Sequence, residues 1–268
     1  MDSKGVIYIV AGGNLYLDEA KKSAESLKNK NPNLSTSLIA DKKIDENAVF
    51  DNYIYMPNTY KSEKLFKING FNKSPYDVTL FLDSDTYICS QLEDLFRLVE
   101  KYDLAIAHAP VRNVSSSITA LNWYGDQNIP DSYPEFNTGV ILFRKNQKTT
   151  NLFDRWNDIY LKYLSETNTN LPDQASFRDA IYGSNLLVST LTPEYNCRYI
   201  FPTYVHGEIK ILHCRKPMPH KIAKRYNKTN KPRVIIPGIG IIANNNKIIR
   251  LLTKILNSRI ISGYSKHL

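Results

Sequence analysis

The chain has 268 residues, 42% hydrophobic and 23% charged, with a formal net charge of +9. This is an ordinary globular composition with enough length for a sizeable core in one large or two modest domains. The charge is uneven: residues 207–268 hold 14 Lys/Arg against Glu208 alone, a local +13 that leaves −4 on the first 206 residues. Cys89, Cys197 and Cys214 form no CxxC pair and no zinc pattern, so reduced thiols and a cytoplasmic location are expected. No apolar run reaches about 18 residues and the N-terminus enters a strand at once, so neither a signal peptide nor a membrane span is expected. The sequons at Asn33, Asn72, Asn113 and Asn227 then read as chance in an Asn-rich chain.

In chain order, Val6–Val10 reads as a strand ending in Gly12-Gly13, a pair that lets the backbone turn tightly and approach a ligand. A plain tight turn explains the pair equally well. Asp18–Lys30 is helix-like, Leu34–Ala40 is a second strand ending at Asp41, and Tyr53–Tyr55 is a third. Lys61–Phe71 is a basic amphipathic helix, and Ser74-Pro75 turns into the apolar run Val78–Leu82. Strand and helix alternating in this way predict a doubly wound α/β sheet. A capping box, Ser90 to Glu93, opens the next helix, and Asp103–Ala109 is a strand. Residues 111–135 lack a period and suggest a functional loop or lid. Asn137-Thr138-Gly139 leads into the apolar strand Val140–Phe143. Residues 150–164 carry a helical stripe with Trp156 in the core, and Leu171–Gln174 opens a short helix. Leu186–Leu191 and Glu208–His213 are the last strands of this body. Beyond Met218, Lys221–Arg233 reads as a linker or exposed arm, and 246–261 as a basic amphipathic helix.

The stretch that organises the rest is Val78–Tyr87. An apolar run of this kind is a strand buried on both faces, and its C-terminal end, where open α/β sheets bind ligands, carries Asp83-Ser84-Asp85. Two carboxylates at i and i+2 can share a hard cation or bracket a metal-bound diphosphate. Each candidate also has a plainer reading: the acid pair as a turn or cap, His213 as a core histidine, Lys67 and Lys216 as solvated charges, and Asp173 as a helix N-cap.

Together these residues resemble the GT-A-fold nucleotide-sugar glycosyltransferases, most of all the glycogenin-like family. The resemblance rests on Lys67, Ser74-Pro75-Tyr76, Leu80–Thr86, Asn137–Val140, Asp173-Gln174, and His213 with Lys216-Pro217, and it spans residues 5–217. It implies a Rossmann-like, mostly parallel central sheet flanked by helices over residues 1–218, with 219–268 as a basic C-terminal extension. It further implies that Asp83, Asp85 and His213 ligate Mn²⁺, or Mg²⁺, against the diphosphate of a UDP-sugar of glucose type. Lys67 and Lys216 would add charge there, Ser84 would line the donor site, Gly12 and Gly13 would admit the nucleotide, and Asp41 would touch base or ribose. Asn137, Asp173 and Gln174 would face the sugar, the last two as catalytic residues. The acceptor is a hydroxyl of a glycan, protein or lipid, and retention of configuration is implied. The chain departs from the family pattern in two places. His213 and Lys216 are only three apart, with no Gly or Trp, and Arg178 stands where the family has Asn.

Two rivals differ in class. A phosphatase or phosphotransferase can use the first Asp of a strand-terminal D-x-D as nucleophile. The basic tail can instead make the chain a nucleic-acid or membrane-binding module, its helix suiting a membrane surface or a homodimer contact. No RNA-binding motif is present, and no specific nucleic acid is expected.

Overall fold

A computed structural model describes residues 2–42, 49–109, 128–130, 132–167 and 170–243. Four strands form the first half of the central sheet: β1 (Lys4–Val10), β2 (Ser35–Ala40), β3 (Asn52–Tyr55) and β4 (Val78–Leu82). All are parallel, in the spatial order β3-β2-β1-β4. The acid-bearing β4 is followed by β5 (Thr86–Ile88), β6 (Leu104–His108), β7 (Phe136–Arg144) and β8 (Val188–Leu191). β7 lies antiparallel between β4 and β6, and β8 closes the seven-stranded sheet beside β6.

Alternation along the strands divides the core into two layers. Val78, Leu80 and Leu82 join Val6, Tyr8 and Val10 beneath α1 (Asn14–Lys30), which contributes Ala20, Ala24 and Leu27. Phe81, Ile7 and Ile141 face the other way, toward α2 (Glu63–Gly70), α3 (Gln147–Thr167) and α4 (Gln174–Tyr182). There Phe71 lies 4.6 Å from Phe81, 4.7 Å from Phe153 and 5.5 Å from Trp156, ring centre to ring centre. Burial on both faces explains why β4 is apolar except for Thr79, whose buried hydroxyl is hydrogen-bonded to Ser74 and Tyr76. Among the described residues no helix is long and apolar enough to cross a membrane.

Two small sheets complete the body. β9 (Cys197–Arg198) and β11 (Ile211–His213) pair in parallel, and β11 pairs antiparallel with β5, with His213 opposite Thr86. That register carries the imidazole to the tip of β4. β10 (Thr203–Val205) pairs with β12 (Arg233–Ile236), which forms a hairpin with β13 (Gly240–Ala243).

Three expectations need correction. α1 begins at Asn14, one turn before Asp18. Ser90 caps no helix: Glu93–Glu100 is a 3-10 segment, the Leu92 N–H donates to Asn31 Oδ1 at 2.8 Å, and Lys210 Nζ donates to Ser90 Oγ at 3.2 Å. Residues 221–233 are not an exposed arm. α5 (Pro219–Tyr226) buries Ala223 and Tyr226 against Cys197, Val205 and Leu212, and Ile235 of β12 joins them. The fully buried Arg233 donates to the carbonyls of Gly207, Tyr226 and Lys231 at 2.9, 3.0 and 3.1 Å. Most of the expected 111–135 loop and the whole 246–261 helix lie outside the described residues.

Arg233→Met keeps much of the stem but removes the donor from three carbonyls, that of Tyr226 buried. It is expected to lower the unfolding free energy in urea by about 2–4 kcal/mol and to open 219–243 to limited proteolysis. A surface arm would show neither effect.

Candidate active site

Between the parallel strands β1 and β4 the order in which strands are added to the sheet reverses, and at such a switch point doubly wound sheets hold their ligands at the carboxyl ends of the strands. A cleft opens there, lined by Val10, Tyr16, Lys64, Lys67, Asp83 and Asp85 among others.

Asp83 closes the β4 ladder by donating its N–H to the Gly139 carbonyl at 2.8 Å. Its own carbonyl accepts from the Thr86 N–H at 3.2 Å and from Thr86 Oγ1 at 2.9 Å, fixing the turn that sends both carboxylates outward. His213 Nε2 lies 3.1 Å from Asp85 Oδ1 and 3.8 Å from Asp83 Oδ2.

The hydrogen bonds behind the ring assign its tautomer. The Gly139 N–H donates to Asn137 Oδ1 at 3.2 Å, so that atom is an oxygen, and Asn196 Nδ2 donates to it as well at 2.7 Å. Asn196 therefore turns its Oδ1 toward His213 Nδ1, 3.0 Å away, and Nδ1 must carry the proton. The Nε2 lone pair of a neutral ring then faces two carboxylates. Three acceptor atoms within 4.8 Å of one another need a proton or a cation among them. A histidine whose far nitrogen is fixed by a hydrogen bond is the usual arrangement of a metal ligand. Gly139 leaves the room: a Cβ there would sit 2.3 Å from His213 Cε1 and 2.8 Å from Asp83 Oδ2. Asp83, Asp85 and His213 thus fit a divalent cation.

Positive charge braces the acids from two sides. Lys67, buried on α2, lies 3.0 Å from Asp83 Oδ1 and 3.1 Å from Asp173 Oδ2, and Thr138 Oγ1 donates to Asp173 Oδ1 at 3.0 Å. Burial alone would raise the Asp173 pKa, but Lys67 and Lys64 and the hydrogen bonds from Lys67 and Thr138 outweigh it and hold it below the usual carboxylate range. Burial alone would lower the Lys67 pKa, and the charges of Asp173 and Asp83 raise it instead. On the other side Arg215 Nε lies 2.9 Å from Glu19 Oε1 and 3.7 Å from Asp85 Oδ2, with its guanidinium 5.2 Å from the Tyr16 ring centre. Asp85, whose pKa burial would also raise, is held low by His213 and Arg215.

The structure gathers Lys67, Asp83, Ser84, Asp85, Asn137, Asp173 and His213 into one constellation. Ser84 Oγ donates to Glu19 Oε2 at 3.1 Å. Gln174 opens α4 directly after Asp173. Gly12, with φ +86°, donates its N–H to Asp41 Oδ2 at 3.0 Å, so this pair shapes the end of β1, and Gly13 caps α1. Lys216 is set apart: it is exposed, 6.0 Å from the Tyr199 ring centre, and lines a neighbouring cleft, while Arg215 is the residue that reaches the acids. Sequence reasoning missed Asn196, Glu19 and Arg215. Only Arg215 had a local signal, since alternation puts it on the same face as His213.

A model of the family described as Glycosyl transferase family 8 matches residues 10–232. The chain belongs to this family. The match is to the family as a whole and does not single out its glycogenin-like branch. It also displaces the phosphatase and phosphotransferase reading. No curated protein sequence matches the chain. Among solved structures, the chain is similar to GlyE of Streptococcus pneumoniae TIGR4 (18% identity, TM-score 0.53, covering 85% of this chain and 58% of that one). It is also similar to the galactosyltransferase LgtC in complex with donor and acceptor sugar analogues (11%, 0.51, 80% and 87%) and to mouse xyloside xylosyltransferase 1 (13%, 0.51, 79% and 97%). At these identities the likeness is one of fold, the GT-A fold, and the chain spans 58% of the length of GlyE.

Gly139→Ala places a methyl group where the ring of His213 and the Asp83 carboxylate now meet. Divalent-cation affinity, followed by calorimetry or by Mn²⁺ electron paramagnetic resonance, is expected to fall by about 10-fold or more. Unchanged affinity would detach the cation from this site.

Proposed function

We propose that this family 8 glycosyltransferase moves a sugar of glucose type from a UDP-sugar to an acceptor hydroxyl, with Mn²⁺ as cofactor and with retention of configuration. The observation that carries the reading is the convergence of Asp83, Asp85 and the His213 Nε2 lone pair, with Asn196 occupying the opposite ring nitrogen. Two carboxylates with one imidazole suit Mn²⁺ better than a site made only of oxygens. When bound, the ion supplies Lewis-acid neutralisation of the charge that builds on the leaving diphosphate.

The chain's own residues do the rest. Gly12 leaves room for the nucleotide beside β1, and Asp41, bonded to the Gly12 N–H and to Asn58 Nδ2, offers a carboxylate to base or ribose. Arg215 sits where a cation can meet the diphosphate, in the role that the family resemblance gives to Lys216. Lys67, locked between Asp83 and Asp173, keeps the acid pair in place before the donor arrives and offers positive charge to it afterwards. Asn137 and Gln174 border the sugar. A carboxylate held as low as Asp173, with both oxygens engaged, is a weak proton acceptor. That argues against an inverting route with Asp173 as general base and favours retention, with Asp173 acting to position Lys67.

Calorimetry with UDP is the test. Binding is expected in the presence of Mn²⁺ and is expected to vanish on chelation. Asp83→Asn and Asp85→Asn are each expected to lower sugar transfer by more than the about 100-fold that loss of an outer-shell partner costs. Metal-independent UDP binding, or near-normal turnover in either variant, would refute the assignment.

A further inference from the structure

A third cation, Arg198, stands at the acid cluster and, among the described residues, is held by no carboxylate. β9 pairs in parallel with β11, with Arg198 opposite His213. Residues paired in this way project from the same face of a sheet, so Arg198 stands beside the imidazole, on the face that also carries Asn196. β5 borders the other edge of β11. The donor cleft is lined from the side of β1, α1 and α2, and Arg198 lies outside it.

Arg198 is half-buried, and its guanidinium carbon lies 4.6 Å from the centre of the Phe201 ring. The charges that reach it are those of Asp83, Asp85 and Glu135, yet among the described residues it forms no ion pair and no side-chain hydrogen bond. Lys67 and Arg215, by contrast, are each held by a carboxylate at about 3 Å, Asp83 and Asp173 for the one and Glu19 for the other. Its guanidinium nitrogens are not among the buried atoms left unpartnered, so solvent reaches them, and with no protein acceptor their five donors are open to the oxygens of a ligand. The planar fork matches carboxylate and phosphate oxygens in bidentate fashion, while the aromatic ring behind it fixes its plane.

We propose that Arg198 binds an anionic group, carboxylate or phosphate, on the acceptor, and that this glycosyltransferase therefore prefers acidic acceptor sugars to neutral ones. The inference rests on the donor reading above, because it takes the β1 side of the acid cluster as the place of the nucleotide. The neutral alternative, in which Arg198 meets only sugar hydroxyls, forgoes the charge-assisted bonds that the fork is built to make.

The test measures transfer from the UDP-sugar that the enzyme hydrolyses with Mn²⁺ to two matched pairs of acceptors, galactose against galacturonate and glucose against glucose 6-phosphate. The acidic member of at least one pair is expected to show a kcat/KM 10-fold or more above its neutral partner, and the pair that does so distinguishes carboxylate from phosphate. Arg198→Ala is expected to bring that ratio close to one. Arg198→Lys, which keeps the charge and loses the fork, is expected to retain part of it. Equal use of acidic and neutral sugars by the parent enzyme would overturn the proposal, and so would a preference that survives Arg198→Ala. Transfer to none of the four while the donor is hydrolysed would overturn it too. Absence of any donor hydrolysis would instead refute the donor reading and this inference with it. The preference of the parent enzyme decides the matter even if the alanine variant fails to fold.

Discussion

Two carboxylates at the tip of one strand repel each other, and the rest of the site is arranged around that repulsion. At about 4 Å, and with an effective dielectric of about 20, a like-charge pair costs about 4 kcal/mol. The fold offsets part of this with buried Lys67 from α2, while a distant segment carries the imidazole of His213 to the same point. The remaining demand for positive charge is local and directional: the Nε2 lone pair and two carboxylate oxygens meet at one point. Asn137 and Asn196 contribute no charge there. They assign the proton of His213 to the far side of the ring, and so decide that the near side accepts rather than donates.

The scaffold makes this possible because the central sheet is buried on both faces. Phe81 pointing one way and Leu82 the other leave β4 no freedom to slip, since a one-residue shift would expose both layers. The two strand-ends that carry the acids and Asn137–Gly139 are neighbours through the antiparallel pairing of β4 with β7. His213 belongs to a separate small sheet, and its position depends on the pairing of β11 with β5, the segment that follows the acid pair directly. The hairpin of β12 and β13 and the buried Arg233 hold the segment from 203 to 236 together behind it. Residues read as an appendage from their charge therefore belong to the support of the site.

What the sequence revealed and what it hid divide along the range of the interactions. β4, β7 and the stripe of α3 are written locally as apolar runs and periods, and the acid pair stands out because such a run ends in two carboxylates. The ordered set from Lys67 to His213 pointed to family and fold in advance. The partners of those residues could not be read in the same way. Asn196 and Arg198 acquire meaning only from the register of β9 against β11, and Glu19 only because α1 crosses over the end of β4. The capping box at Ser90 failed for the same reason. Its local pattern was sound, but Asn31 and Lys210 claim the groups it needed. The basic run of 221–233 misled because charge density conceals that one of its arginines is fully buried and bonded to three carbonyls.

The most direct examination of the central claim is an anomalous-diffraction map from crystals grown with Mn²⁺ and UDP. The expected result is a single strong peak within coordination distance of Asp83, Asp85 and His213 Nε2. A map with no peak among these three side chains, or with the ion held by other residues, would contradict it.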